Sequence, residues 1–208
     1  MPFSVPAPAS VRTSVTVTPA HRLFDQLAAA EGALAGYSRG HALHAGNILP
    51  GGAIRHVCFA EQVEIECDPA QVLDPLIKWS WPASLDLVIH PMPAPPAPDV
   101  RGAAPTGVRR LTGSIHSHAF LSCYENVSGE IKTRYGTDQK TWPQTLRFAW
   151  IVRNAFGHGG KLTINDLTVS ATWRGVALSH TNNGEHLMYN QVTAGDTILL
   201  MLDVEDLL

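Results

Sequence analysis

The sequence predicts a mainly α-helical domain that carries a small β-rich appendage after residue 160. Three observations predict it. Apolar residues recur at helical spacing over about 106–134. A second helix, 142–158, is apolar on most sides and closes on Gly159-Gly160. Beyond that glycine pair the hydrophobic period shortens from that of a helix to that of short strands.

Composition sets the frame. A chain of 208 residues fits one domain, or one domain with an appendage, and can bury a full core. Hydrophobic residues make up 45% and charged residues 16%, the profile of an ordered globular protein. A net charge of −3 argues against a protein that coats nucleic acid, while leaving room for a locally basic cleft. Arg outnumbers Lys eleven to four, and arginine is the better phosphate fork. Cys58, Cys67 and Cys123 show no C-x-x-C spacing, so they read as reduced thiols rather than a disulfide framework or a zinc site. The first residues, Met1 to Pro8, lack a signal-peptide pattern, and no apolar run approaches a membrane span. The expectation is a soluble cytoplasmic protein with no membrane contact.

Taken in order, residues 1–20 are rich in Pro, Ser and Thr and read as an extended N-terminal arm or one edge strand around Val11–Val17. From His21 to His44, Leu23, Phe24, Leu27, Ala28, Leu34 and Ala35 recur as on a helix. Pro50-Gly51-Gly52 makes a turn. The stretch 53–90 is mixed. Val57, Phe59, Val63 and Ile65 alternate like a strand, whereas Val72, Leu76 and Ile77 suit a helix, and Pro69, Pro75 and Pro82 interrupt both. A Pro-rich connector, 91–105, reads as a stiff polyproline spacer.

The long helix 106–134 should bury Val108, Leu111, Ile115, Phe120, Leu121, Val127 and Ile131, and end at Gly136-Thr137-Asp138. Thr141-Trp142-Pro143-Gln144 has the form of a capping box with proline in the first turn. Leu146, Phe148, Ala149, Ile151, Val152 and Phe156 would make the helix that follows the central one. In 161–208, Asn183-Gly184 signals a hairpin with His186–Tyr189 as the returning strand, and Asp196 caps a closing helix, Thr197–Leu207. The organisation expected is therefore an arm (1–20), a helical core (21–160) interrupted by the connector, and an appendage (161–208).

Chemistry is concentrated at Arg153-Asn154-Ala155-Phe156-Gly157-His158. RNA cleavage by internal 2′-OH attack needs a proton acceptor and a cation for the phosphorane. His158 and Arg153 are of those types, and Asn154 can orient either the imidazole or the phosphate. Arg-x4-His occurs a second time, at Arg39 to His44, so context separates the two. Polar groups directly after Phe148-Ala149-Trp150-Ile151-Val152 need partners or a role. Asn154 and His158 are i,i+4 neighbours, but Arg153 lies about 140° around the helix from His158. Two copies crossing would bring each Arg153 to the other's His158, which points to a homodimer through the 142–158 helix.

Arg153-Asn154-Ala155-Phe156-Gly157-His158-Gly159-Gly160 resembles the HEPN-domain signature, an Arg-polar-x-x-x-His motif ending an apolar helix. The likeness covers about 106–160 and includes the preceding long helix. It implies an all-α, HEPN-like helical bundle, dimeric, with Arg153 and His158 catalytic and Asn154 assisting. By the same resemblance, the activity would be metal-independent endoribonuclease cleavage of RNA in a toxin–antitoxin or phage-defence system, with an antitoxin or defence-system protein as partner. No cofactor and no metal are implied. Toxins of that type paired with a nucleotidyltransferase carry a tyrosine two residues after the histidine, where this chain has Gly160. The alternatives are a non-catalytic HEPN-like dimerisation module and a sensor binding an anion at Arg153 and His158.

Other features carry less. His116-Ser117-His118 with Cys123 invites a metal reading, but residues i and i+2 of a helix point apart. His41 and His44 are better spaced yet lack a further ligand. Trp79, Trp81, Trp142, Trp150 and Trp173 read as core or hairpin packing, and Asp203, Glu205 and Asp206 as a solvated helix face.

Overall fold

In a computed structural model, residues 13–44, 53–92 and 107–208 are described, with side chains omitted at Gly40–His44 and Val108. The fold is mixed α/β, which corrects the mainly α expectation. The elements are β1 (Ser14–Val17), α1 (Phe24–His44), β2 (Ile54–Val57), β3 (Val63–Cys67), α2 (Ala70–Ile77), β4 (Leu85–Pro91), α3 (Gly107–Tyr135), α4 (Gln144–Gly157), β5 (Ser170–Trp173), β6 (Val176–Ser179) and α5 (Ala194–Glu205).

The physical reason for the correction lies in 53–92. Leu85, Leu87 and Ile89 alternate with Asp86, Val88 and His90, and Val63, Ile65 and Cys67 alternate with Glu64 and Glu66, so each strand buries one face. These strands form an antiparallel sheet of order β1-β4-β3-β2, with Val17 opposite Leu85, Cys67 opposite Leu87 and Ile54 opposite Cys67. Of the two readings of the N-terminal segment, arm or edge strand, Ser14–Val17 takes the second. Pro91, read as the start of the Pro-rich connector, ends β4. Positions 93–105 of the connector, and the turn at 50–52, lie outside the described residues.

The burial stripe of α3 runs through Gly113, His116, Phe120, Cys123, Tyr124, Val127 and Ile131, one position off the expected Ile115. Helix α3 packs against α1, α4 and α5. Helix α4 starts later than the capping-box reading has it. Pro143 is its N-cap without a side-chain bond, and the Thr141 hydroxyl instead donates to Asp138 O in a preceding 3-10 turn.

The most enclosed helix is α5 rather than α4. Every residue from Ala194 to Leu202 is buried, as expected for a helix that is apolar all round. Its cap is a true box: Thr193 N donates to Asp196 Oδ2 at 2.8 Å, while Asp196 N donates to Thr193 Oγ1 at 3.2 Å. The Asp196 carboxylate also accepts from Phe59 N and Ala60 N, tying α5 to the chain beyond β2.

The hairpin turn lies at Arg174-Gly175, between β5 and β6, and not at Asn183-Gly184. Arg174 and Gly175 both have positive φ (44° and 81°), as a two-residue turn of type I′ requires. Arg174 is held there by a bidentate bond to Asp203 (2.7 and 2.8 Å), which also accepts from Trp173 Nε1. Asp203 is therefore a structural anchor and not a solvated charge, and Glu205 likewise pairs with Arg22. Trp142 and Trp173 are buried, but Trp79 is fully displayed at 98% exposure. No helix among the described residues is long and apolar enough to cross a membrane.

Candidate functional site

Helix α4 delivers its last turns to the surface. It is clasped by α3, α5 and β5, and exposes a stripe through Gln144, Arg147, Trp150, Asn154 and Gly157. Ala155 and Phe156 stay buried, Arg153 and Asn154 are half-buried, and His158 is exposed as the C-cap. The glycine pair then turns the chain: Gly159 and Gly160 take φ of 75° and 81°, and Gly160 N donates to Ala155 O at 2.8 Å.

Arg153 reaches across to α3. Its Nε donates to Glu125 Oε1 at 2.6 Å, Nη2 pairs with the same oxygen, and Nη1 donates to Asn154 Oδ1 at 3.2 Å. The two charged side chains are 36% and 51% exposed, so solvent screens the pair. Arg153 also acts on the buried phenol of Tyr124. Burial pushes that phenol's pKa up, and the guanidinium only partly offsets the effect.

The structure thus brings Arg153 and Asn154 together and leaves His158 apart. Among the described residues no hydrogen bond or ion pair links the His158 imidazole to either. One turn before His158, Asn154 lines a cavity of about 80 Å³ with Trp150, Thr163 and Asn165. Trp150 and Asp166 are shared with a neighbouring cavity of about 240 Å³ that reaches Lys140 and Arg147. Both cations of that second cavity are engaged. Lys140 Nζ is 2.8 Å from Asp166, and Arg147 donates to the carbonyls of Lys140, Trp142 and Ser170. The two cavities lie side by side along α4, and of Arg153, Asn154 and His158 only Asn154 lines either of them.

A second constellation escaped the sequence reading. Glu31 of α1, His56 of β2 and His116 of α3 meet in the core, all three buried. Glu31 Oε1 lies 2.9 Å from His56 Nε2 and 3.8 Å from His116 Nε2, and the two imidazole rings stand edge to face at 4.8 Å. Burial pushes the Glu31 carboxyl up, but attraction to His56 and their hydrogen bond outweigh it and hold the pKa below the usual range. Burial, reinforced by His56, lowers His116 to about 3, so its imidazole is neutral. Glu31 Oε2 and both ring nitrogens of His116 have no hydrogen-bond partner among the described residues.

His116 and His118 do diverge: His118 is exposed and bonded to Ser114 O. The partners of His116 come from other elements. The available signal was positional, since Glu31 is i+4 from Leu27 and His116 is i−4 from Phe120, each on the apolar stripe of its helix. The side chains of His41 and His44, in the second Arg-x4-His match, lie outside those described.

Compared with protein-family models, curated proteins and solved structures, the chain returns no match.

Proposed function

We propose that this chain is a metal-independent endoribonuclease that uses an HEPN-like Arg-polar-x-x-x-His motif, on a fold other than the all-α bundle, to cleave RNA by internal 2′-OH attack, acting as a toxin or phage-defence effector. The observation that carries the reading is the end of α4, where a half-buried Arg153–Asn154 pair and an exposed His158 lie close in sequence beside a cavity that Asn154 and Trp150 line. In the reaction, His158 takes the proton of the 2′-hydroxyl as its oxygen bonds to phosphorus. The P–O5′ bond breaks, and the imidazolium returns the proton to the leaving oxygen. Arg153 donates to the non-bridging oxygens as charge grows on them. The products are a 2′,3′-cyclic phosphate and a 5′-hydroxyl.

Because Arg153 and His158 sit on different sides of α4, the working site is composite, formed by two copies meeting at the C-terminal end of that helix. RNA bases stack on Trp150 in this reading. An antitoxin or defence-system protein would act by covering the same helix end.

A second reading, a non-catalytic dimerisation module, draws on one observation: Glu125 already neutralises Arg153. The two are separated by incubating wild type and His158→Ala with mixed RNAs in EDTA, with folding checked by circular dichroism in the same buffer. The nuclease reading expects cleavage by wild type that a folded His158→Ala loses. Absence of cleavage by either, with dimerisation weakened by the substitution, supports the module.

A further inference from the structure

We propose that Glu31, His56 and His116 bind a divalent transition metal ion, of the kind zinc represents, as an internal clip joining α1, β2 and α3. This inference is independent of the nuclease reading and concerns a different part of the molecule.

A histidine–glutamate hydrogen bond alone accounts for only part of the cluster. It satisfies His56 Nε2 and Glu31 Oε1 and leaves Glu31 Oε2 and both nitrogens of a fully buried His116 without partners. Buried polar atoms in native cores are nearly always partnered, and an ion bound by Glu31 and by one nitrogen of His116 would partner up to two of these three orphans. The donor set is that of a metal site. Two imidazoles and one carboxylate suit zinc or ferrous iron.

The spacing fits as well. Metal–ligand bonds of about 2.0–2.1 Å in tetrahedral geometry place ligand atoms about 3.3 Å apart. The two measured separations, 2.9 and 3.8 Å, bracket that value, and all three ligand atoms lie within 4.8 Å of one another. Rotamer adjustment of His116 closes the remainder. A dication facing one carboxylate leaves less uncompensated charge in the core than the bare ion would.

The site is structural in type. Glu31 and His116 are 0% exposed and His56 only 5%, so a substrate has no approach to it. Its three ligands come from elements distant in the chain, and α1–α3 packing would be the contact it reinforces. Three protein ligands leave room in the coordination shell for one small oxygen donor such as water.

The test uses the full chain, stripped of metal by dialysis against chelator and then titrated with Zn²⁺ or Co²⁺. Uptake of about one equivalent, a rise in Tm on addition of Zn²⁺, and visible absorption bands of non-octahedral Co²⁺ are expected. His116→Leu, which fills the position with an apolar side chain, should fold, lose the Tm response and take up no metal at that site. Glu31→Gln, which keeps a hydrogen bond to His56, should bind at least about tenfold more weakly. A folded wild type that takes up less than about a tenth of an equivalent without a Tm shift overturns the proposal. So does His116→Leu retaining wild-type uptake, which would place the metal elsewhere. If both variants fail to fold, the Zn²⁺-dependent Tm and Co²⁺ spectrum of the stripped wild type decide the matter alone.

Discussion

Glu125 of α3 holds Arg153 of α4 through a 2.6 Å bond from Nε, so the guanidinium carries a carboxylate before any phosphate approaches. An RNA phosphate would have to compete with that carboxylate or displace it. Glu125→Gln removes the competing charge, and we expect the KM for RNA to fall several-fold with kcat little changed. Because the pair is half-exposed, the stability cost should stay under about 1 kcal/mol in urea denaturation. An unchanged or higher KM would mean that Glu125 positions Arg153 instead of restraining it.

Asp196 is the most heavily used carboxylate of the core, accepting from Phe59 N, Ala60 N, Thr193 N and the Thr193 hydroxyl. Asp196→Ala would take the carboxylate from three buried N–H groups, one of them the reciprocal bond of the capping box, while Thr193 Oγ1 can still cap the backbone N of residue 196. A loss of about 3–5 kcal/mol is expected in denaturant titration, from the orphaned donors. A loss below about 1 kcal/mol would show that water replaces the carboxylate.

Gly195 lets α5 approach β2. A Cβ there would lie 2.6 Å from Cys58 Sγ and 2.9 Å from the carbonyl oxygens of His56 and Val57. Gly195→Ala should therefore destabilise by about 1–3 kcal/mol through overpacking, although alanine is the better helix former. A Tm equal to or above wild type would contradict this close approach.

The three cysteines should be silent in the native protein. All are buried, and burial pushes their thiols up, Cys123 to about 12. A thiol reagent at pH 8 should label none of them in native protein and all three in denaturant. Rapid labelling of any one without denaturant would show that its cover opens locally.

What the sequence made legible was local. Helices α3, α4 and α5 announce themselves through periodic apolar residues and, for α4, through Gly159-Gly160 at its end, although α5 starts at Ala194 with Thr193 as its cap and not at Thr197 after Asp196. The sheet did not, because its strands are four to seven residues long and its pairings are distant: Ser14 lies opposite Val88, across more than seventy positions. The Asn183-Gly184 signal lost to Arg174-Gly175, whose unfavourable arginine conformation is held by Asp203, a partner that no local pattern reveals. The same holds for Glu31, His56 and His116, each a single polar residue on an apolar stripe. By contrast Arg153, Asn154 and His158 fall within one six-residue stretch and could be named from sequence, although their relative placement around α4 could not be turned into one site within one chain.

If two copies form the composite site, Arg153→Ala and His158→Ala should each be inactive alone. After mixing and subunit exchange they should regain about a quarter of wild-type activity, since half of the dimers are mixed and each mixed dimer holds one intact site of two. No recovery after demonstrated exchange would place both residues of the site in the same chain.

Cleavage by internal 2′-OH attack is tested most simply with one RNA cleaved by wild type and the same RNA with a 2′-deoxy sugar at the scissile nucleotide. The first should yield a 2′,3′-cyclic phosphate and a 5′-hydroxyl, and the second should stay intact at that position. Products bearing a 5′-phosphate, or undiminished cleavage of the deoxy substrate, would show that the 2′-hydroxyl is not the nucleophile and that the enzyme works by another mechanism.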